Sequence, residues 1–173
     1  MEKNAGPPTL NKPIIIIIWI ALLGVTTVLF NGVLDDINNP NKQLTVTTNE
    51  LGNKEVILER NRYGHYVASG EINDKSVEFL LDTGATQVAI PEHIATQLSL
   101  KKGRAFQSQT ANGSSQSYAT TIDRLALGNI VMTNVPASIS SGMEFDEILL
   151  GMSFLKHLHL VQQGTQLRIS LPD

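Results

Sequence analysis

The sequence contains no cysteine and no excess of positive charge. The absence of cysteine from 173 residues excludes disulfide bridges, thiolate zinc sites, iron–sulfur clusters and a cysteine nucleophile. The 13 lysine and arginine residues are outnumbered by 16 aspartate and glutamate residues, which gives a formal net charge of -3. That sign is wrong for a domain that follows a phosphate backbone, so we expect no nucleic acid among the partners.

Long hydrophobic runs are absent except near the N-terminus, where the run from Ile14 to Phe30 contains no charged residue. Its length, extended to Leu34, is close to the roughly 20 helical residues that cross a bilayer. We therefore predict a transmembrane anchor over residues 14–34, after a cytoplasmic N-terminus over residues 1–13. A buried core helix and the apolar region of a cleaved signal peptide are the alternatives. The run has no polar stripe, which disfavours the first, and no clear small-x-small cleavage site, which disfavours the second.

The charges that flank this run predict its orientation. Lys3 and Lys12 precede it, whereas Asp35 and Asp36 follow it. Positively charged residues favour the cytoplasmic side of a membrane. We expect a single-pass protein of the inner (cytoplasmic) membrane, with the C-terminal domain facing the periplasm or the cell exterior.

Residues 35–58 are predicted to form a tether and two leading strands. The stretch from Asp35 to Gln43 is polar, rich in asparagine and broken by Pro40, as in a solvated linker. The leading strands are predicted at Leu44–Thr47 and Glu55–Leu58.

Residues 59–173 are predicted to form one small, mostly antiparallel all-β domain. Short apolar or alternating runs are separated about every ten residues by turn signals. The sequence also favours one or two short helices. The predicted turns lie at Asn73-Asp74, Gly128-Asn129 and Gln163-Gly164, and the predicted helices span Pro91–Leu98 and Ser153–His157.

The strongest chemical signal is an apolar strand that ends in a carboxylate, followed by a small hydroxyl residue and glycine. This segment reads Phe-Leu-Leu-Asp82-Thr83-Gly84-Ala85-Thr. A carboxylate that leaves an apolar strand without partners would be costly to bury. Thr83 and Gly84 supply a hydroxyl and a backbone N–H close enough to hold it.

With this segment and three others in the same order, the chain resembles the retropepsin-like aspartic proteases, specifically a bacterial membrane-anchored, single-domain group. The resemblance covers about Tyr63 to Leu171. Its motifs are Gly64-His65-Tyr66-Val67-Ala68, Leu81-Asp82-Thr83-Gly84-Ala85-Thr86, Thr110-Ala111-Asn112-Gly113 and Leu149-Leu150-Gly151-Met152-Ser153-Phe154-Leu155.

The resemblance implies a small, closed β-barrel-like acid-protease monomer after the transmembrane helix. It implies that Asp82 is the catalytic residue and that neighbouring residues support the loop that carries it. By this resemblance the loop support is Thr83, Gly84 and Ala85, the substrate-binding flap is Ala111, Asn112 and Gly113, and the residues packed beneath the loop are Leu149, Leu150 and Gly151.

The chemistry of that family uses two carboxylates that share one proton. The sequence has a single Asp-Thr-Gly, so the second carboxylate is expected from another copy of the chain, in a homodimer. The substrate is then a peptide or protein, and neither a metal nor an organic cofactor is expected. His157 and His159 stand two residues apart without a third ligand, which disfavours a metal site.

The function predicted from the sequence is therefore that of a membrane-anchored aspartic endopeptidase. A catalytically silent module of the same fold, which binds or assembles components of the cell envelope, is the alternative. The intact Asp-Thr-Gly-Ala favours the enzyme, because a pure binding module has no need of a carboxylate there.

Overall fold

The computed structural model describes residues 11–48, 52–110 and 113–172. These residues divide into two compact units, the first ending at Asp36 and the second beginning at Ile37. In chain order the helices and strands are α1 (Lys12–Asn38), β1 (Thr45–Thr48), β2 (Lys54–Glu59), β3 (Val67–Ile72), β4 (Lys75–Leu81), β5 (Val88–Pro91), α2 (Glu92–Gln97), β6 (Ala105–Thr110), β7 (Gly113–Leu127), β8 (Ile130–Ser140), β9 (Ile148–Leu150), α3 (Met152–Leu155), β10 (His159–Gln163) and β11 (Gln166–Ser170).

Helix α1 contains the apolar run and is longer than the predicted 14–34 segment. Its stretch Lys12–Phe30 is long and apolar enough to cross a membrane, and large side chains such as Trp19 and Leu23 are exposed along it. A signal sequence near the N-terminus would have the same length and composition.

The second unit contains a seven-stranded sheet in the order β3-β4-β9-β5-β8-β7-β6. Strand β3 also pairs with β7, through Glu71 opposite Ala126 and Ile72 opposite Leu125, so six of these strands form a closed ring. The interior is apolar, with Phe79, Ile148 and Leu150 fully buried. The predicted all-β, barrel-like fold with short helices is confirmed.

Arg124 reinforces the seam where the ring closes. Its guanidinium donates hydrogen bonds to Glu71 at 2.7 Å and to Asp74 at 2.9 Å. The hydrogen bond to the Glu71 carboxylate raises the pKa of this guanidinium further above its ordinary value. The seam is thus held by side chains in addition to two backbone pairs.

The remaining strands form a four-stranded sheet in the order β1-β2-β11-β10. Strand β2 pairs antiparallel with β11, for example Leu58 opposite Leu167. Val56, Leu58 and Ile169 are fully buried in the common core. The leading strands, which the composition assigns to residues 35–58 beside the tether, therefore share a sheet and a core with the C-terminal strands.

The predicted hairpins are present, although some strands and helices have other bounds. Asn73 and Asp74 both have positive φ angles, 50° and 63°, as a two-residue type I′ turn requires. Strands β7 and β8 extend to 15 and 11 residues, far beyond the apolar runs next to Gly128. Pro91 caps α2 from the end of β5, and α3 is a single turn that ends at Leu155.

The prediction of a solvated tether is wrong at Asn41, which is only 4% exposed. Its side-chain amide donates to the backbone carbonyl oxygens of Glu59 at 2.9 Å and Val67 at 2.7 Å, and its side-chain oxygen accepts from the Glu59 N–H at 2.7 Å. The Ser69 N–H donates to the Asn41 carbonyl oxygen. The Asn41 side chain thus supplies hydrogen bonds that link strand β2 to strand β3.

Asn38 and Asn39 extend this arrangement, and together with Asn41 they form what we call the asparagine clasp. The amide of Asn39 donates to Glu78 at 2.7 Å and to Ser69 at 3.2 Å, and Asn39 is 2% exposed. The amide of Asn38 donates to Glu147 at 3.1 Å. Asparagine suits such a position because its amide both donates and accepts. The clasp therefore joins the chain just after α1 to strands β2, β3 and β4.

We expect Asn41→Ala to lower the free energy of unfolding by about 3 kcal/mol, because it removes the partner of the buried Val67 carbonyl oxygen and of the partly buried N–H and carbonyl oxygen of Glu59. Thermal or chemical unfolding of the full chain in detergent measures this change. Gln43→Ala, at an exposed neighbouring position, is the control and should stay within about 0.5 kcal/mol of the wild type. Equal stability of the two variants would contradict a structural role of the clasp.

Candidate active site

Asp82 is the first residue after strand β4 and begins the loop that leads to β5. The Gly84 N–H donates to its side-chain oxygen Oδ1 at 2.8 Å, and the Ala85 N–H donates to its carbonyl oxygen at 3.2 Å. The Asp82 N–H donates in turn to the Leu150 carbonyl oxygen at 3.2 Å. The carboxylate is half-buried and has its orientation fixed by a backbone donor two residues later.

Glycine at position 84 leaves room for this carboxylate, which a side chain there would crowd. A Cβ atom there would lie 3.1 Å from Asp82 Oδ1. Thr83 and Gly84 are exposed, and the Thr83 hydroxyl has no hydrogen-bond partner among the described residues of the single chain. The loop therefore carries a half-buried carboxylate at Asp82 beside an exposed hydroxyl at Thr83 and an exposed glycine at position 84.

Beneath the loop lies strand β9, which pairs in parallel with β4 and places Leu150 opposite Leu81. Leu150 and Gly151 are buried, whereas Leu149 is half-buried. A Cβ atom on Gly151 would collide with the carbonyl oxygens of Gln87 and, at 2.7 Å, Ala85. Leu150 and Gly151 thus lie against the backbone of the loop, whereas Leu149 lies opposite Leu80 and Ala89 in the neighbouring strands.

The sequence analysis did not single out two further supports of the loop. The hydroxyl of Ser153, a buried residue of α3, accepts from the Val88 N–H at 2.9 Å, and the Ser153 N–H donates to the Thr86 carbonyl oxygen at 3.0 Å. The Leu81 N–H donates to the Tyr66 carbonyl oxygen at 3.0 Å. Ser153 and Tyr66 both lie inside the quoted motifs. Their hydrogen-bond partners are distant in sequence, so no local signal identifies these two residues as supports of the loop.

Strands β6 and β7 form the hairpin to which the resemblance assigns the flap. Thr110 lies opposite Gly113 in this hairpin, and Ala111 and Asn112 lie outside the described residues. Gly113 is exposed with a φ of 111°. At the base of the hairpin, the Ser141 N–H and hydroxyl both donate to the Gln116 carbonyl oxygen.

The other candidate groups are not brought to Asp82. His157 and His159 are exposed, the first after α3 and the second on strand β10. His93 pairs with Asp146 at 2.8 Å on the surface, where such a pair contributes little stability. Within residues 11–48, 52–110 and 113–172, no group of histidine, aspartate and glutamate residues is arranged to hold a metal ion.

Two curated proteins of unassigned function are similar to this chain. One, from Sinorhizobium sp, is encoded in the 5′ region of cobV; it is 30% identical over 124 residues, which are 70% of this chain and 53% of that protein. The other, from Rickettsia prowazekii (strain Madrid E), is 29% identical over 107 residues, or 59% of this chain and 45% of that protein. The chain thus spans about half the length of the curated relatives it matches.

A solved structure and a family model identify the fold and the family. The crystal structure of a retropepsin-like aspartic protease from Rickettsia conorii matches with a TM-score of 0.56 and 28% identity, covering 66% of this chain and 97% of that one. The model of the gag-polyprotein putative aspartyl proteases matches residues 68–157, which include Asp82, Gly84 and Gly151. The chain therefore belongs to the retropepsin-like aspartic proteases.

Proposed function

We propose that the protein is an aspartic endopeptidase that hydrolyses peptide bonds, with Asp82 as its catalytic residue. The observation that carries this proposal is the half-buried Asp82 carboxylate, oriented by the Gly84 N–H on a loop that is hydrogen-bonded to residues 150–153. Membership of the aspartic protease family supports it. Catalysis needs such fixed placement, because the reaction rate falls when the reacting group is not held in the productive geometry.

In this proposal the active unit is a homodimer in which Asp82 of each copy contributes one carboxylate. Two carboxylates at hydrogen-bond distance share one proton. The ionised carboxylate accepts a proton from water as the water oxygen attacks the scissile carbonyl carbon, and the protonated carboxyl donates to the carbonyl oxygen. When the amide C–N bond breaks, the first carboxyl passes the proton it took from water to the leaving nitrogen, and one hydroxyl of the tetrahedral diol returns its proton to the second carboxylate. The unpaired hydroxyl of Thr83 is free to bond with the second copy.

We further propose that residues 14–34 of α1 remain as a single-pass anchor in the inner membrane. The length and hydropathy of Lys12–Phe30 support a membrane span. The preceding Lys3 and Lys12 and the following Asp35 and Asp36 support a cytoplasmic N-terminus and a periplasmic or external domain. The proposed domain organisation is then a cytoplasmic N-terminus over residues 1–13, the anchor over residues 14–34, the connecting segment with the leading strands over residues 35–58, and the protease domain over residues 59–173.

The second candidate is a silent module of the same fold that binds or assembles envelope components. Strand β10 lies at the edge of the four-stranded sheet, and such an edge suits binding by strand addition. The glycine and backbone contacts that orient Asp82 favour the enzyme, because binding alone does not need a constrained carboxylate.

We expect the full-length protein in detergent to cleave members of a random peptide library, with a rate that rises as the square of protein concentration in the dilute range. The reason is that only the dimer contains two carboxylates. Cleavage at acid and neutral pH, with and without a statine-type inhibitor, is the measurement. A strictly monomeric and fully active protein in sedimentation would refute the dimer. Binding without cleavage at any concentration would favour the second candidate.

A further inference from the structure

We propose that the substrates are polypeptides held in the same membrane, and that the protein cleaves them at bonds close to the membrane surface. This inference rests on the proposed peptidase function and on the proposed anchor. The substrate class is defined by the position of the cleaved segment, which is extended and lies next to the membrane span of another protein.

The first step is the short connection between the apolar span and the folded domain. The stretch that is long and apolar enough to cross a membrane ends at Phe30, before the proposed end of the anchor at Leu34, so counting from Phe30 gives the longest connection. Asn39 is already fixed in the domain by its bonds to Glu78 and Ser69. Residues 31–38 are therefore the whole connection. Fully extended, they reach at most about 28 Å.

The second step is the distance from the clasp to the reacting group. Asn39 bonds to Glu78, which lies on strand β4, and Asp82 follows at the end of the same strand. At the rise of a β-strand, the backbone distance from Glu78 to Asp82 is about 13 Å. Chain connectivity thus limits Asp82 to within about 50 Å of the end of the span.

The asparagine clasp shortens this reach. A solvated linker that continued through residues 39–43 would have extended it by up to about 17 Å. Because Asn39 and Asn41 are buried and bonded to β2, β3 and β4, that length is not available. Confinement to the membrane plane raises the effective concentration of substrates anchored in it and leaves distant bonds out of reach.

The test uses the full-length protein in proteoliposomes with two single-pass reporter substrates. Each reporter carries one sequence chosen from the peptide library with the full-length protein. In one reporter a rigid helical spacer of about 10 residues (about 15 Å) separates this sequence from the span, and in the other the spacer has about 60 residues (about 90 Å). We expect the near site to be cleaved at least about tenfold faster, with Asp82→Asn as the background control.

A Gly/Ser insertion of about 80 residues between Asp36 and Ile37 lengthens the connection and leaves the clasp intact; its r.m.s. span is about 50 Å. We expect this variant to cleave the near and far sites at rates within about threefold of each other. The matched control carries the same insertion before Lys12, where it does not change the reach, and should keep the preference for the near site. Rates on the free peptide report whether either insertion disturbs the domain.

Equal cleavage of the near and far reporters by the native protein would overturn the inference. A preference for the near site that survives the insertion after Asp36 would also overturn it, because the preference would then not come from reach. If the free peptide is not cleaved at all, the proposed peptidase function itself is wrong. That failure is distinguishable because the free peptide is measured first.

Discussion

Replacing Asp82 by asparagine should lower the rate of peptide cleavage by about three orders of magnitude or more, while the fold is retained. Asparagine keeps the shape of the side chain and still accepts the hydrogen bond from the Gly84 N–H, which is 2.8 Å from Oδ1. It removes the base that activates water and the proton that the two carboxylates share. In a dimer it also removes the single negative charge that the pair of carboxylates carries.

The matched control is Asp123→Asn, an identical chemical change at an exposed position on strand β7. Initial rates on one library-derived peptide, together with thermal melts of the three proteins, form the measurement. The Asp123 variant should cleave at the rate of the wild type. Equal activity of both variants, with unchanged melts, would discard the aspartic protease mechanism and favour the binding module.

Gly151→Ala should have the second largest effect, on both stability and activity. The new Cβ atom would lie 2.7 Å from the Ala85 carbonyl oxygen and even closer to that of Gln87. Both obstacles are backbone atoms of the catalytic loop, so the loop has to move away from β9 and α3. We expect a loss of about 3 kcal/mol in unfolding free energy. Cleavage per folded molecule should fall more than tenfold, because the position of Asp82 shifts with the loop.

Gly142→Ala is the control for this experiment. There the new Cβ atom would meet the Ser115 side-chain oxygen at 2.6 Å, an obstacle that moves by rotation of one side chain. Its cost in unfolding free energy should stay below about 1 kcal/mol. If Gly151→Ala is as stable and as active as Gly142→Ala, strand β9 does not support the catalytic loop in the way described.

Features encoded by neighbouring residues could be predicted from the sequence. The turn at Asn73 and Asp74 needs two residues that tolerate positive φ, and both side chains suit it. The apolar run before Asp82 predicted a strand that ends at a carboxylate, and β4 ends at Leu81. The exposed apolar face of α1 follows directly from its composition.

Features that depend on distant partners could not be predicted in the same way. The polar segment around Asn41 has the composition of a solvated linker, and only the backbone groups of Glu59 and Val67 make it a buried structural element. The same holds for Ser153, whose partner is the Val88 N–H. Strand β9 lies between β4 and β5 and runs parallel to β4. This pairing is non-local as well, because nothing near residue 81 indicates residue 150.

The bonds that hold the Asp82 loop also set the time at which the site forms during synthesis. Val88 and Ser153 are separated by 65 positions, so a growing chain contains the Asp-Thr-Gly long before it contains the support beneath it. Contacts of such long sequence separation form late and slowly. A nascent chain therefore carries an unsupported Asp82 loop until nearly all of the domain has been made, so the proposed peptidase activity can begin only at that stage.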